Sequence, residues 1–269
     1  GDLQDLVRKG HRQGLFRRIT KKGVKTMNET LFLPAGDSAV NVEFGRIIDP
    51  EINKKIRSLS DSLSRKPIRG VTECIPTFRS LLVCYDPLQT GCEVLIKKLK
   101  KRIKSLDQAS AGEKRVFNIP VCYGGEFGED IAFVASHAGL TEQEVIDIHT
   151  GRDYLIFMLG FLPGFAYLGD MDKRLHTPRL SNPRTSIPAG SVGIGGEQTG
   201  IYPLASPGGW QLIGRTPVRP YDPNRAEPIL YSAGDYIRFF AVDEQEYRKI
   251  EELVSRDEYE CKITAGEGN

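Results

Sequence analysis

The sequence predicts an α+β protein in two parts: a small N-terminal α/β sandwich, then a β-rich region built on tight turns. Three observations carry this. Apolar residues in the first hundred or so positions recur alternately in some stretches and at helical spacing in others. A polar run of small residues at 107–114 (DQASAGEK) then separates two textures. Beyond it, residues 160–217 hold 11 Gly and 7 Pro in 58 positions, too dense a mixture for long helices.

Residues 31–45 read as two strands around a Gly36-Asp37 turn, with Val40, Val42 and Phe44 alternating. Residues 50–63 place Ile52, Ile56, Leu59 and Leu63 on one helical face behind an Asp49 N-cap. Residues 70–76 and 80–85 read as a strand pair. Residues 94–103 return to helical spacing through Val94, Leu95, Leu99 and Ile103. The cations of that helix (Lys97, Lys98, Lys100, Lys101, Arg102, Lys104) are able to bind an anion, but such a run reads first as a solvated face. Residues 115–123 read as a strand, and 129–137 and 141–149 as short helices, the second with a Thr141/Glu144 capping box. Residues 228–242 predict two strands around Gly234-Asp235, and a closing helix starts near Asp243. The expected division is a leader at 1–26 outside the fold, an α/β domain at 27–108 and a β-rich domain at 113–269.

Hydrophobic residues make up 39% and charged residues 27%, an ordinary globular composition. No run of about 18 apolar residues is present, so no membrane partner is expected. Residues 1–26 hold eight Lys/Arg against two Asp, whereas the other 243 residues hold 29 against 33. Met27 reads as the natural start. The leader has only Phe16 for base stacking, so nucleic acid is not indicated. Cysteines at 74, 84, 92, 122 and 261 are odd in number and lack CxxC spacing, which argues against a disulfide framework or a zinc site. Free thiols without an export signal point to the cytoplasm. Cys74 and Cys84 sit in apolar runs and are expected in the core.

The motifs exclude several chemistries. Gly195-Gly196-Glu197-Gln198-Thr199-Gly200 has phosphate-loop spacing, but Ile201 and Tyr202 stand where Lys and Ser/Thr belong. No G-x-S-x-G nucleophile elbow occurs, and the four histidines lack metal-ligand spacing. His176, beside Arg174 and Arg179, suits recognition of an anion or carboxylate.

The run Gly160-Phe161-Leu162-Pro163-Gly164-Phe165-Ala166-Tyr167-Leu168 resembles a signature block of the allophanate hydrolase subunit 1 family. Thr177-Pro178-Arg179, Asn182-Pro183-Arg184, Ile187-Pro188-Ala189-Gly190-Ser191-Val192, Gln198-Thr199-Gly200-Ile201-Tyr202-Pro203, Ser206-Pro207-Gly208-Gly209-Trp210 and Ile213-Gly214-Arg215-Thr216-Pro217 follow in family order. The resemblance implies that the β-rich domain is a cyclophilin-like β-barrel. It implies one of three functions. The first is the B-type subunit of an ATP-dependent 5-oxoprolinase, opening 5-oxo-L-proline to L-glutamate with a C-like partner (subunit 2) and an A-like partner. The others are an inhibitor of a sporulation-type histidine kinase, and half of a urea carboxylase or allophanate hydrolase-type carboxyltransferase. ATP would be used by the assembly, since this chain has no phosphate loop. Within the block, His176, Arg179, Arg184, Gln198, Tyr202, Trp210 and Arg215 are the substrate-binding or interface candidates. Phe161, Phe165 and Tyr167 form an aromatic wall. Pro163, Gly164, Gly200, Gly208 and Gly209 shape the loops. No residue is assigned a catalytic role.

Overall fold

The computed structural model describes residues 30–106 and 115–265. The basic leader at 1–26, the polar stretch at 107–114 and the expected division near residue 108 lie outside the described residues.

In the first unit, β1 (Leu31–Pro34) and β2 (Ala39–Glu43) form the expected hairpin, with Gly36 at a φ of +63° that glycine adopts without strain. α1 (Pro50–Arg65) begins where the Asp49 carboxylate accepts from the Glu51 and Ile52 amides at 2.9 and 3.2 Å. β3 (Val71–Pro76), β4 (Ser80–Tyr85) and α2 (Cys92–Lys104) follow. The sheet runs β1-β2-β4-β3 and is antiparallel throughout. Strand alternation sends Val40, Val42, Leu81, Val83 and Tyr85 to one face, where Ile56, Leu59 and Leu63 of α1 meet Leu95 and Leu99 of α2.

Two expectations fail here. Val94 is 48% exposed, because adjacent helical residues point about 100° apart and Leu95 takes the core position. Cys84 is only half-buried, while Cys74, also half-buried, does pack against the rim of this core. Cys84 lies opposite Ala39 and Glu73, on the sheet face away from the helices, and Cys74 lies on an edge strand.

The second unit is a closed seven-stranded barrel. Its strands are β5 (Arg115–Tyr123), β6 (Asp153–Leu159), β7 (Ala166–Leu168), β9 (Ser191–Gly195), β10 (Gln198–Ile201), β12 (Gln211–Arg215) and β13 (Tyr236–Ala241). They run β12-β9-β10-β7-β6-β13-β5, and β5 closes the ring by pairing with β12. β8 (Arg184–Ile187) and β11 (Ser206–Gly208) form a separate ribbon, and β14 (Ile263–Ala265) adds to the start of β5. α3 (Ile131–Ala138), α4 (Glu142–Thr150) and α5 (Glu244–Ser255) pack outside the strands. The capping box at Thr141/Glu144 forms as expected, and Asp243 caps α5 through the Glu246 amide at 2.8 Å.

Residues 228–242 yield one strand, β13, rather than two. Before it, Pro228 has no amide to give, and Asp235 fixes the turn by side chain instead of ladder: it accepts from Arg115 at 2.9 and 2.6 Å and from the Ser232 amide at 2.8 Å. β6 and β14 form where no strand was expected.

The two units meet along a defined seam. The Asn53 carboxamide of α1 donates to the Phe157 carbonyl at 2.8 Å, Arg57 donates to the Gly234 carbonyl at 3.1 Å, and the Phe78 ring lies 5.7 Å from both Phe157 and Tyr167. Among the described residues, no helix is long and apolar enough to cross a membrane.

Candidate functional site

The β9–β10 hairpin explains what the glycine-rich run does. Gln198 pairs with Gly195, so Gly196 and Glu197 make a two-residue turn. Gly196 has a φ of +66° and Glu197 has no positive φ, the type II′ pattern with glycine first. The near-match to a phosphate loop is thus a hairpin.

Thr177 bridges to this turn: its amide donates to the Gly196 carbonyl at 3.2 Å and the Gly196 amide donates back at 2.8 Å. That bridge brings His176 beside Gln198. A 3-10 turn at Lys173–Leu175 precedes it, started by Asp172, whose carboxylate accepts from the Arg174 amide at 3.0 Å. The Arg174 guanidinium grips the same carboxylate at 3.0 and 2.8 Å and holds it well below the usual carboxylate range.

Together these elements line a cleft of about 460 Å³. Lys173, His176 and Gln198 lie on it with Asp170 and Glu197, over an apolar floor of Phe157 and Met171. Ile48 and Pro50, from the connection into α1, form the far wall, so the cleft spans the seam between the units. Gly169 is obligatory here, since a Cβ would sit 2.0 Å from the Phe157 ring. The Gln198 Nε2 is buried without a hydrogen-bond partner, an unsatisfied donor at this cleft. The cleft thus offers donors for a carbonyl or carboxylate oxygen, with two carboxylates nearby to accept from an N–H.

A second cluster lies beside it. Phe165, Tyr202 and Trp210 pack edge to face, with centroids 5.4, 5.6 and 6.2 Å apart, against Ile187 and Leu212. Phe165, Tyr202 and Trp210 are 2%, 2% and 5% exposed, so Phe165 of the expected aromatic wall and the binding candidates Tyr202 and Trp210 form a core beneath the loops rather than an open surface. Burial pushes the Tyr202 phenol up. The glycines make room for these rings: an added Cβ would lie 2.4 Å from the Trp210 indole at Gly195, 3.1 Å from it at Gly200 and 2.5 Å from the Tyr202 hydroxyl at Gly208. At Gly209 the nearest atom would be 3.5 Å away, an ordinary contact. Gly164, at a φ of +80°, gives its carbonyl to the Tyr231 hydroxyl at 3.0 Å, next to exposed Pro163. Tyr167 is half-buried at the cluster's edge. Arg179 lies over the Trp210 ring at 5.7 Å. Phe161 is 62% exposed and holds a φ of +66°, a left-handed value that costs a non-glycine residue on the order of 1–3 kcal/mol.

Of the remaining two candidates, Arg184 flanks this cluster, donating to the Trp210 carbonyl at 3.4 Å, and Arg215 sits elsewhere. Arg184 bridges Glu129 at 3.0 Å and Asp130 at 2.8 Å, and Asp130 also accepts from the Leu212 amide at 2.6 Å. That ties the β8 ribbon to α3 and β12, and occupies the carboxylate that would otherwise cap α3. Arg215 stacks over Phe127 at 5.8 Å and reaches the Glu126 carbonyl at 3.4 Å; neither residue lines the cleft.

Sequence reasoning missed Lys173, Asp170, Glu197 and the Ile48–Pro50 wall. The last was out of reach, because nothing local says which loop of the first unit faces the barrel. It also missed the buried polar chain around His149. The Thr199 hydroxyl donates to the Gly193 carbonyl at 3.1 Å and so must accept from His149 Nε2–H at 2.8 Å. His149 Nδ1 is then the acceptor for the Tyr123 hydroxyl at 2.7 Å. Burial holds this imidazole neutral, its pKa pushed down to about 3.

The family model described as carboxyltransferase domain, subdomain C and D, matches residues 30–231. The B-type subunit of Bacillus subtilis 5-oxoprolinase is 43% identical over 227 residues, which cover 81% of this chain and 95% of that one. The protein of the same description from Escherichia coli O157:H7 is 44% identical over 204 residues, 76% of this chain and 92% of that one. Among solved structures, TTHA0988 superposes with a TM-score of 0.69 at 38% identity, covering 76% of this chain but only 40% of that one. The K. lactis urea amidolyase shares the fold, with a TM-score of 0.75 at 22% identity over 92% of this chain and 17% of that one.

Proposed function

The chain belongs to the allophanate hydrolase subunit 1 family, that of the carboxyltransferase subdomain C and D model, and on that premise we propose that it is the B-type subunit of an ATP-dependent 5-oxoprolinase. It acts with a C-like and an A-like partner to open 5-oxo-L-proline to L-glutamate. The observation that carries this reading is the cleft at the seam, where Lys173, His176 and Gln198 converge within a chain similar to the B. subtilis B-type 5-oxoprolinase subunit over nearly all of that protein's length.

Lactam opening adds water across the ring C–N bond. The carbonyl carbon gains the water's oxygen, and the nitrogen leaves as an amine. The substrate therefore presents a carboxylate, a carbonyl oxygen and an N–H. Lys173 and His176 are placed to hold the carboxylate, the unsatisfied Gln198 Nε2 to donate to the carbonyl, and Glu197 or Asp170 to accept from the ring N–H. ATP supplies the driving force in the assembly, and the Gly195–Gly200 hairpin of this chain is not where its phosphates are held. Phe161, exposed and strained above Phe165, is the anchor offered to the C-like partner.

The test reconstitutes the full chain with its C-like and A-like partners, ATP and 5-oxoproline. Glutamate and ADP are expected only from the complete mixture, Gln198→Ala is expected to lower the rate at least about tenfold, and Phe161→Ala to weaken co-purification. No glutamate from the complete mixture, where the B. subtilis relative in place of this chain does give it, would overturn the reading.

A further inference from the structure

Away from the barrel cleft, α2 and the connection from α1 to β3 border an open surface pocket of about 450 Å³. Lys66, Arg69, Lys98, Lys101 and Arg102 line it, Ile68 lies in its wall, and among the described residues no carboxylate lines it. The ion pairs found among the described residues all join residues between 115 and 256, and none involves these five cations. The surroundings share the imbalance. Residues 30–106 hold 14 Lys/Arg against 8 Asp/Glu, whereas residues 115–265 hold 14 against 21.

A solvated helix face with cations near its C-terminus accounts for part of this. Lys101, Arg102 and Lys104 sit in the last turn of α2, where the macrodipole favours positive charge. That account stops there. Lys98 lies a turn earlier, Lys66 and Arg69 lie beyond the end of α1, and α5 ends with no basic residue in its last turn. Two helix C-termini contribute about half a negative charge each, far short of five cations. Arg102 is also pre-positioned: its Nη1 donates to the Ser62 carbonyl at 2.7 Å and the Ser62 hydroxyl at 2.9 Å, which fixes the guanidinium and leaves its other donors available.

We propose that this pocket binds a chain of two or more phosphates, as presented by a nucleoside triphosphate or an inorganic polyphosphate. A single carboxylate or phosphate needs one or two cations. Five around one small pocket match an anion carrying three or four charges. The volume is that of a small-molecule site, and among the described residues no aromatic side chain lines it for base stacking, so the phosphates are what it recognises. The pocket shares no lining residue with the barrel cleft, so binding here can be measured without lactam opening.

Calorimetric titration of the full-length chain with sodium tripolyphosphate at low salt tests this. Saturable binding is expected, falling steeply as salt rises. Lys98→Glu with Lys101→Glu should weaken it at least about tenfold, while Lys54→Glu with Lys55→Glu, the same charge change on exposed residues of α1 outside the pocket, should weaken it less than about twofold. Should the glutamate pair perturb folding in circular dichroism, Lys98→Gln with Lys101→Gln serves instead. A parallel titration with ATP separates the sources: equal affinity assigns recognition to the phosphate chain, and tighter binding adds contacts to the nucleoside. Absence of saturable tripolyphosphate binding, equal loss in both double variants, or tighter binding of a polyglutamate peptide would each overturn the proposal.

Discussion

The barrel and the N-terminal unit deploy their charges in opposite ways. In the barrel, cations are bolted to carboxylates that hold loops in place, as Arg184 is to Glu129 and Asp130, and Arg115 to Asp235. In the N-terminal unit the Lys and Arg side chains take no ion pair among the described residues, and burial holds the fold: Ile56, Leu59, Leu81, Val83, Leu95 and Leu99 are fully buried. The ion pairs of the barrel are architectural, whereas in the N-terminal unit Arg57 and Arg102 are held by neutral acceptors and Lys98 and Lys101 line the surface pocket with no carboxylate partner among the described residues.

The largest test of that contrast is in the first unit's core. Leu59→Ala should destabilise the chain by about 3 kcal/mol, read as a lower denaturant midpoint, because a fully buried side chain leaves a cavity. In the barrel the corresponding test is electrostatic. Arg184→Ala should cost about 2 kcal/mol, since it strands the carboxylate of Asp130, whose side chain is 13% exposed, although Glu129 is solvated and loses little. A midpoint unchanged in Arg184→Ala would break the comparison on the barrel side.

What the sequence made legible follows the same line. The first unit was readable almost throughout, because each element announces itself locally: alternation in β2 and β4, four-residue spacing in α1, and a capping Asp49. The barrel was legible as texture rather than as elements. Its strands are short and glycine-broken, and β9 is buried at every position, so period-two alternation disappears. β6 carries a similar apolar run, and β14 takes its register from β5, 140-odd residues away. At the candidate site, Gly195, Gly200 and Gly208 stood out in the sequence, but that they make room for Trp210 and Tyr202 depends on cross-strand packing no local pattern encodes. His176 and Gln198 are 22 residues apart and meet only through the Thr177–Gly196 bridge.

The barrel also hides one charge by refusing it. His149 is fully buried and neutral, its pKa near 3 against an ordinary value of 6.5. The folded value is depressed, so the unfolded chain takes up a proton that the native state does not. The contribution is fully present above about pH 6.5 and is lost as pH falls from there toward 3, at about 1.4 kcal/mol per pH unit. Denaturant midpoints should fall accordingly between neutral and mildly acidic pH. The His149 ring should stay in its Nε2–H form by NMR across that window. A ring that titrates near 6.5 in the folded protein would show that the Tyr123–His149–Thr199 chain does not exclude the proton.

The smallest effect is the most discriminating for the N-terminal unit. Lys98 lies one turn before Arg102 and three residues before Lys101, like charges on one helix face that oppose one another by about 0.2–0.5 kcal/mol per pair. Lys98→Ala removes that repulsion and adds a better helix former, so it should stabilise the chain by a few tenths of a kcal/mol at low salt, with the gain shrinking as salt screens the cluster. Lys101→Ala, in the last turn, gives up a favourable dipole contact as well and should come out near zero. A lysine whose removal stabilises the fold has no structural task. If Lys98→Ala instead destabilises, the cation has a structural task, and the contrast with the barrel's architectural ion pairs does not hold at α2.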